Sequence, residues 1–459
     1  RVLFRSTALP TLMKEFDISA SSVQWLTTGF LLVNGIMIPI SAWLINKFSS
    51  KKLYITAMST FLIGTIICFV AQDFGMLLTG RLVQAAGVGV SMPLLQTIML
   101  SIFPPEKRGA AMGTTGIVIG LAPALGPTLS GWIIDSYTWR DLFGMVIPIV
   151  VLVLILASFL MKNVIQLSNP SIDVLSVILS TLGFGSLLYG FSSVGDKGWG
   201  SPQVYGFLIV GAIVLCLFTY RQLHLEQPFL ELRVFKSKVF TVAAILSGVT
   251  NMAMIGAEMV LPLYIQNIRG ESAFHSGLML LPGALVMGLM MPVTGRIFDK
   301  IGARRLAITG MFILTAATLP FAFLTKATPI IYIIVLYAIR MFGISMVMMP
   351  VTTSGMNALP MNLLSHGTAV NNTFGQVASS IGTAVLISVL TNVTKDGLPA
   401  SDLLKTAPLT YRDQATNATL NGYHAAFFVA TIFGVLGLAI TFFLNKKEAM
   451  PVKEVGAMK

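Results

Sequence analysis

What most constrains this chain is the recurrence, along its whole length, of apolar runs of about 18–25 residues, each able to cross ~30 Å of hydrocarbon as a helix. The runs are Val23–Leu44, Leu53–Val70, Met76–Leu95, Ala110–Ile134, Leu142–Met161, Val174–Phe191 and Val204–Tyr220, then Val239–Ile265, Ser276–Phe298, Leu306–Leu324, Ile330–Val351, Ala369–Val393 and Tyr423–Leu444. By length alone that makes roughly thirteen spans. Lipid offers the backbone no hydrogen-bond partner, so a helix, which satisfies its own amides, is the expected form of each run. A water-soluble reading fails on charge. Only 10% of the residues are charged and 55% are hydrophobic, against about 25% charged in soluble domains. A soluble fold of this composition would present an aggregating surface. The expected fold class is an all-α integral membrane protein.

The net charge of +12 invites a nucleic-acid reading until its distribution is considered. Lys47, Lys51 and Lys52 share one loop and Lys107 and Arg108 another. Arg221, Arg233, Lys236 and Lys238 follow, then Arg296, Lys300, Arg304 and Arg305, and finally Lys446 and Lys447. With alternating spans, all of these fall on one side. The opposite loops carry Lys14, Arg140, Lys197, Arg269 and Lys326 nearly alone; only the longer Thr394–Asn421 loop holds several, with Lys395, Lys405 and Arg412. This asymmetry is the positive-inside pattern, which places the C-terminus in the cytoplasm. The basicity reports topology, and no nucleic-acid partner is expected.

Cys68 and Cys216 both sit inside apolar runs, where a lone thiol behaves as a small hydrophobe. Two isolated cysteines provide neither a disulfide framework nor a metal site. His224, His275, His366 and His424 are too scattered to chelate. No Gly-x4-Gly-Lys-Ser/Thr loop occurs, so nothing points to nucleotide hydrolysis. Neither a metal nor a cofactor is expected.

The chain repeats itself. Ala42-Trp-Leu-Ile-Asn-Lys-Phe-Ser-Ser-Lys-Lys52 and Gly295-Arg-Ile-Phe-Asp-Lys-Ile-Gly-Ala-Arg-Arg305 each close a span with the same small, acidic or amide, and basic spacing. Downstream of each, an arginine stands in an apolar run ahead of glycine: Arg81 before Gln84, Gly87 and Gly89, and Arg340 before Gly343. The similar offset suggests two homologous six-helix halves with two further spans, Val174–Phe191 and Val204–Tyr220, between them. Such repeats are typical of secondary transporters, whose site lies near the midplane between the halves.

These residues resemble the major facilitator superfamily. Gly295–Arg305 matches its signature loop GxLaDRxGRKxxL, and Ala42–Lys52 is a degenerate copy, with Asn46 for the acid and Ser49 for the glycine. Arg81-x-x-Gln84-x-x-Gly87 resembles the fourth-helix motif RxxQGxG. The series Gly116, Gly120, Pro123, Gly126, Pro127 and Gly131 resembles the fifth-helix motif of exporters. Trp139-Arg140 with Phe143 and Pro148, Leu261–Gln266 and Leu280–Pro282 resemble stretches of the fourteen-helix drug:proton antiporters, the EmrB/QacA subfamily. The resemblance runs from Thr7 to about Leu444. It implies the major facilitator fold, two pseudo-symmetric halves plus two inserted helices, in a bacterial cytoplasmic membrane. It also implies proton-driven efflux of lipophilic, often cationic drugs or dyes, with the proton gradient as energy source. Protons, small lipophilic molecules and membrane lipids are the expected partners of a monomer. Export of an endogenous lipid, peptide or amino acid on the same fold is the alternative. A membrane-embedded transferase would need a catalytic cluster that the separated histidines and the missing Gly-x-Ser-x-Gly do not supply. A sensor would need a signalling domain that the short tail after Leu444 does not hold.

Proton coupling needs an acid that can lose and regain a proton as the cavity changes sides, and a carboxyl within an apolar helix suits this because desolvation favours its neutral form. Glu258, among Met252, Met254, Ile255, Met259 and Val260, is such a residue. Intramembrane ionisable residues are costly and functional by default. The other reading is a Glu near the outer lip, paired or solvated by the Arg269 loop. Asn251 lies about two turns earlier on the same face and could line the same cavity. The resemblance gives Arg81 a role in tuning the proton relay, with Gln84 beside it; capping carbonyls or bracing helices is the structural alternative, and Arg340 is the pseudo-symmetric partner. Gly295, Asp299, Gly302, Arg304 and Arg305, echoed by Asn46 and Lys51, form a candidate latch. There a carboxylate can bind helix N-terminal amides and basic groups in one conformational state. Otherwise this is a solvated basic loop. Asn46 lacks the charge, so the first latch should be the weaker. The Gly/Pro series permits close packing and a bend.

The expected organisation is as follows. Residues 1–6 (RVLFRS) match what a sequencing adapter would encode in one frame and are read as non-native, an ordinary mid-gene fragment being the other reading. Residues 7–161 form a first half lacking most of its first helix, 162–238 two central helices and a loop, 239–445 the second half, and 446–459 a basic tail. The resemblance places a family Asp shortly before Ala8-Leu9-Pro10, and that acid is absent here.

Overall fold

The computed structural model describes residues 12–13, 15–168 and 170–444. The segment read as non-native and the basic tail lie outside the described residues. Helix is the only regular structure among the described residues. The long helices are α1 (Ala20–Lys47), α2 (Ser50–Phe69), α3 (Phe74–Ile102), α4 (Arg108–Ser136) and α5 (Val146–Leu160, preceded by the turn Asp141–Gly144). Then come α6 (Val174–Lys197) and α7 (Pro202–His224), followed by α8 (Lys238–Asn267), α9 (Ala273–Ile301), α10 (Ala303–Thr318), α11 (Ile330–Ser345), α12 (Met348–Asn357), α13 (Leu364–Asp396) and α14 (Pro408–Thr441). Twelve membrane-length apolar helices are found among the described residues, Ile330–Asn357 counting as one. Helix α4, at 29 residues, has the length as well.

Helix starts are set by capping side chains. Ser49, Asp73, Ser237 and Ser272 each accept a hydrogen bond from a first-turn amide, which satisfies a backbone donor that has no helical partner. Gly302, with φ 80°, ends α9 and opens α10 at once, a left-handed conformation that glycine adopts without strain.

Glycines decide which helices approach closely. A Cβ on Gly64 of α2 would lie 2.5 Å from Gln84 N, and one on Gly87 of α3 would lie 2.5 Å from Ala57 O. In the second half, Gly310 of α10 and Gly343 of α11 meet in the same way, each Cβ falling within 2.8 Å of the other's carbonyl oxygen. The same crossing thus recurs in both halves, as the sequence repeat requires. The inserted pair α6–α7 stands beside α1 and α13: Trp25 stacks on Tyr189 at 5.7 Å, and Val194, Val204 and Ala384 form a small shared core. Its outer face, including Ile209, Ile213 and Leu217, is exposed, as expected of a surface solvated by lipid rather than water.

Two segments differ from the sequence reading. Much of the stretch expected to be a loop, Thr394–Asn421, is helical, because α14 begins at Pro408. At 1.5 Å per residue its 34 residues span about 51 Å, well beyond the hydrocarbon. A hydropathy criterion sees only the apolar portion of such a helix. The run Ile330–Val351 is interrupted at Met346–Val347, where α11 gives way to α12.

Candidate functional site

Two buried polar clusters occupy corresponding places in the halves. In the first, Arg81 of α3 is 8% exposed and donates from Nη1 to Gln84 Oε1 at 2.8 Å. Gln84 Nε2 in turn donates to Thr65 Oγ1 on α2 at 2.8 Å, and the guanidinium lies 4.3 Å from the Phe30 ring centroid on α1. Arg81 and Gln84 are therefore brought together, and the bonds between them and Thr65 brace α3 against α2.

In the second, Arg340 of α11 is fully buried. Its Nε donates to Thr318 Oγ1 at the end of α10, 3.0 Å away, and its Nη2 donates to Ala253 O and Met254 O on α8. Its Nη1 is buried without a hydrogen-bond partner, and so is Glu258 Oε1, one turn along α8 from those carbonyls. The two residues lie close enough for their charges to interact, with Tyr337 of α11 beside both. Gly283 of α9 leaves room for that ring: its Cβ would collide with Tyr337 Cδ1. Arg269's guanidinium donates to Lys326 O, and among the described residues no ion pair joins it to Glu258. Asn251 is turned elsewhere: its Nδ2 donates to Ser247 O at 2.8 Å and faces Gly375 of α13.

The basic end of the bundle is closed by bonds between the halves. Helix α4 begins at Arg108 behind Lys107, which cannot cap it. The cap comes from across the seam: Gly109 N and Ala110 N donate to Asp299 Oδ1 and Oδ2 of α9, both at 2.9 Å. A carboxylate at a helix N-terminus gains from both the free amides and the dipole. Glycines bring the two helices together. A Cβ on Gly295 would collide with Gly109 O, one on Gly113 would lie 2.5 Å from Met291 O, one on Gly116 would strike Met291 Sδ, and one on Gly120 would lie 2.9 Å from Gly288 N. Gly126 lies further along α4. Pro123, Pro127 and Gly131 fall outside the residues whose side chains are described. Among the described residues no ion pair joins Asp299 to Arg304 or Arg305. These arginines follow the Gly302 turn at the start of α10, and the carboxylate's two oxygens are taken by amides. Lys51 stands half-buried in the first turn of α2.

Asn46, at the equivalent place in the first half, reaches the start of α13. Ser365 Oγ donates to its Oδ1 at 2.7 Å, and its Nδ2 lies 3.1 Å from His366 Nε2. Deeper on the same seam, Thr97 meets Thr368 at 2.9 Å and Asn372 Nδ2 donates to Gln96 Oε1 at 2.7 Å.

Several of these residues were missed by sequence reasoning. Arg108, 4% exposed, donates from Nη1 to Asn357 Oδ1 at 3.0 Å, tying α4 to α12. Ser365 and His366 were passed over as well. A signal existed: a proline-led turn precedes both α4 (Pro105–Lys107) and α13 (Met361–Leu363, after Pro360). Near the start of each helix a basic-type side chain precedes a glycine, Arg108-Gly109 and His366-Gly367, the second pair lying two residues further from its turn. At the opposite end, Glu15 accepts from Trp139 Nε1 and, at 2.8 Å, from Arg140 Nη1, joining the α4–α5 connector to the segment before α1.

One cavity at the basic end, about 280 Å³, lies between α1, α13 and the connectors on either side of the inserted pair, lined by Trp43, Asn46, Phe229, Glu231 and His366 among others. A groove of about 420 Å³ between α1 and α6–α7, with Trp25, Ile36, Tyr189 and Phe207 in its walls, opens on the lipid-facing side.

Residues 4–383 match the model of the Major Facilitator Superfamily. The chain belongs to this superfamily. It is 52% identical over 442 residues to the uncharacterized MFS-type transporter YcnB of Bacillus subtilis (strain 168), covering 96% of this chain and 91% of that protein. It is 43% identical over 441 residues to the lincomycin resistance protein LmrB of the same strain, again covering 96% and 91%. Among solved structures, the proton:xylose symporter XylE bound to 6-bromo-6-deoxy-D-glucose has a similar fold, with a TM-score of 0.62 at 14% identity over 98% of this chain and 94% of that one. The molecule is a multi-pass membrane transporter of this superfamily, a group of carriers rather than enzymes.

Proposed function

We propose that the chain exports drug-like molecules in exchange for protons, by alternating access, as a member of the fourteen-helix drug:proton antiporters. The observation that carries the proton half is the Glu258 carboxyl, whose Oε1 is buried without a hydrogen-bond partner, as is Nη1 of Arg340, the cation whose charge it feels. An ionised Glu258 would draw that guanidinium from the carbonyls of α8, and a protonated one would release it. The two protonation states therefore favour different arrangements of α8 and α11, which is what coupling requires. Arg81, with Gln84, is the corresponding fixed charge in the first half, and Asn251 is available to cargo on the α8–α13 face. The name and close similarity of the lincomycin resistance relative support a drug as cargo; an endogenous solute is the other reading. The charge asymmetry supports placing the basic end and the C-terminus in the cytoplasm of a bacterium. The closed basic end then corresponds to a state open, or opening, to the outside. The proton gradient supplies the energy, lipid is the solvent, and the working unit is a monomer.

The test is efflux of lincomycin and of a lipophilic cationic dye from proteoliposomes, comparing native protein with Glu258→Gln before and after the proton gradient is collapsed. Gradient-driven efflux that the substitution abolishes is the expected result. Undiminished efflux by the variant would remove Glu258 as the coupling acid, and indifference to the gradient would remove antiport altogether.

A further inference from the structure

The two seams at the basic end are built differently. Between α4 and α9 a fixed carboxylate, Asp299, holds two backbone amides. Between α1 and α13 the corresponding residue is the neutral Asn46, and its neighbour across the seam is His366. His366 also reaches outside the two halves: Glu231 N–H, on the connector from α7 to α8, donates to its Nδ1 at 3.2 Å. The connector leading into α6 docks at the same place, with Ser168 N–H donating to Asn46 O at 3.0 Å and Trp43 Nε1 donating to Pro170 O at 3.3 Å. First half, second half and inserted pair thus converge on one imidazole.

Hydrogen-bond accounting fixes the state of that ring. A nitrogen that accepts from an amide N–H carries no proton, so the hydrogen of the neutral ring sits on Nε2. Nε2 then needs an acceptor. The Asn46 amide supplies one when its oxygen faces the ring and its NH2 faces Ser365 Oγ, an end-for-end turn that leaves its shape unchanged. The ring nitrogens, the Glu231 amide and the Asn46 oxygen are then each paired donor to acceptor. A doubly protonated ring would instead aim a second N–H at the N–H of Glu231. The charged groups around it do not replace that bond. Glu231 is the one charged side chain described as lining the adjoining cavity, and its carboxylate is held by Arg233 N–H at 3.0 Å and by the Arg233 guanidinium at 3.5 Å. On the incoming connector, Asp173 is bound by Arg221; on α1, the nearest basic residue in sequence is Lys47.

We propose that His366 is a positioning residue of the transport cycle: neutral, it pins the connector of the inserted pair across the α1–α13 seam and keeps the basic end closed; protonated, it lets that seam open. The proposal rests on the alternating-access reading above. It gives the inserted helices a part in gating and provides a proton-responsive group separate from Glu258. In an antiporter the protons delivered to the cytoplasmic face would then loosen the gate where the next cargo molecule is collected.

The test needs no transport assay, so its failure is distinct from failure of that reading. Cys68 and Cys216 are replaced by alanine, and spin labels are placed on Lys52→Cys and Asn362→Cys, exposed positions on opposite halves of the basic end. Distance distributions are recorded in nanodiscs at about pH 7.5 and about pH 5.5, on either side of the ~6.5 of a free histidine. Native protein should show a short separation at the higher pH and a several-fold rise in a longer one at the lower. His366→Gln, whose amide can accept from Glu231 and donate to Asn46 without titrating, should stay short at both. His366→Ala should populate the long separation at both. The native response should persist in Glu258→Gln. A His366→Gln protein that still opens on acidification, or a His366→Ala protein that stays closed at both, overturns the proposal.

Discussion

Replacing Asp299 by asparagine should open the α4–α9 seam, and the structure gives the size of the effect. The carboxylate accepts two amide hydrogen bonds at 2.9 Å from a helix with no cap of its own. Hydrogen bonds to a charged group contribute about 1.5–3 kcal/mol each, and the residue is only partly buried, so the lower value applies. Asparagine keeps the shape but has one acceptor oxygen; its NH2 meets the second amide donor to donor. Loss of the charge and of one bond together should cost the closed seam about 2–3 kcal/mol, a roughly 30- to 150-fold shift in its equilibrium. Labels at Lys107 and Lys300, both exposed beside this seam, would report the shift as a longer distance population. Thermal unfolding should change far less, since the helices themselves remain. An unchanged distance distribution in Asp299→Asn would refute the claim that this carboxylate holds the halves together.

Other substitutions test other parts of the architecture. Gly295→Ala drives a methyl into the backbone of Gly109 and should lower stability by about 1–3 kcal/mol, as overpacking does, read by thermal unfolding in detergent. Gly116→Ala meets the Met291 side chain, Sδ first and then Cβ at 3.0 Å, rather than backbone, and should cost less in the same assay. Arg340→Ala strips Thr318 and two α8 carbonyls of their donor while removing a buried charge, so the variant should unfold at lower temperature than native. Arg340→Lys, which keeps the charge but not the fork, should fall between the two. Arg221, whose two nitrogens bind Asp173 at 2.7 and 2.9 Å, together with Ser176 holds the Asp173 carboxyl below its ordinary value of 3.8. Its stabilisation is therefore complete above about pH 4 and fades as pH falls through the lowered value. Asp173→Asn should be less stable by at most about 1 kcal/mol near neutrality, and the difference should vanish in strong acid.

Sequence legibility followed the range of the interactions. Each apolar run coincides with a helix or a helix pair to within about three residues at its end, because hydropathy is a local property. The polar first turns of α14 were invisible for the same reason: Pro408–Leu420 is helical without being apolar. Asp299 stood out because a signature-like loop surrounds it; of the amides and basic groups expected as its partners, the structure shows the amides of α4. Arg108, Glu15 and His366 were not singled out as site residues because each acquires that meaning only through a partner more than a hundred residues away. Asn251 and Glu258 share a helix and a helical repeat, but the carboxyl lies beside α11 and the amide faces α13, since the helix is buried on several sides at once.

The glycine stripe between α4 and α9 has a mechanical consequence. Where Gly109, Gly113, Gly116 and Gly120 meet Gly295, Met291 and Gly288, long side chains do not interlock along much of the line of contact. Such a line works as a bearing. One helix can roll along the other with little friction, because few rotamers have to be unpicked and repacked on the way. A carrier built on this joint can change the residues that greet its cargo, helix by helix, over evolutionary time. At Gly109, Gly113 and Gly295, where backbone faces backbone, the joint has room for nothing larger than hydrogen.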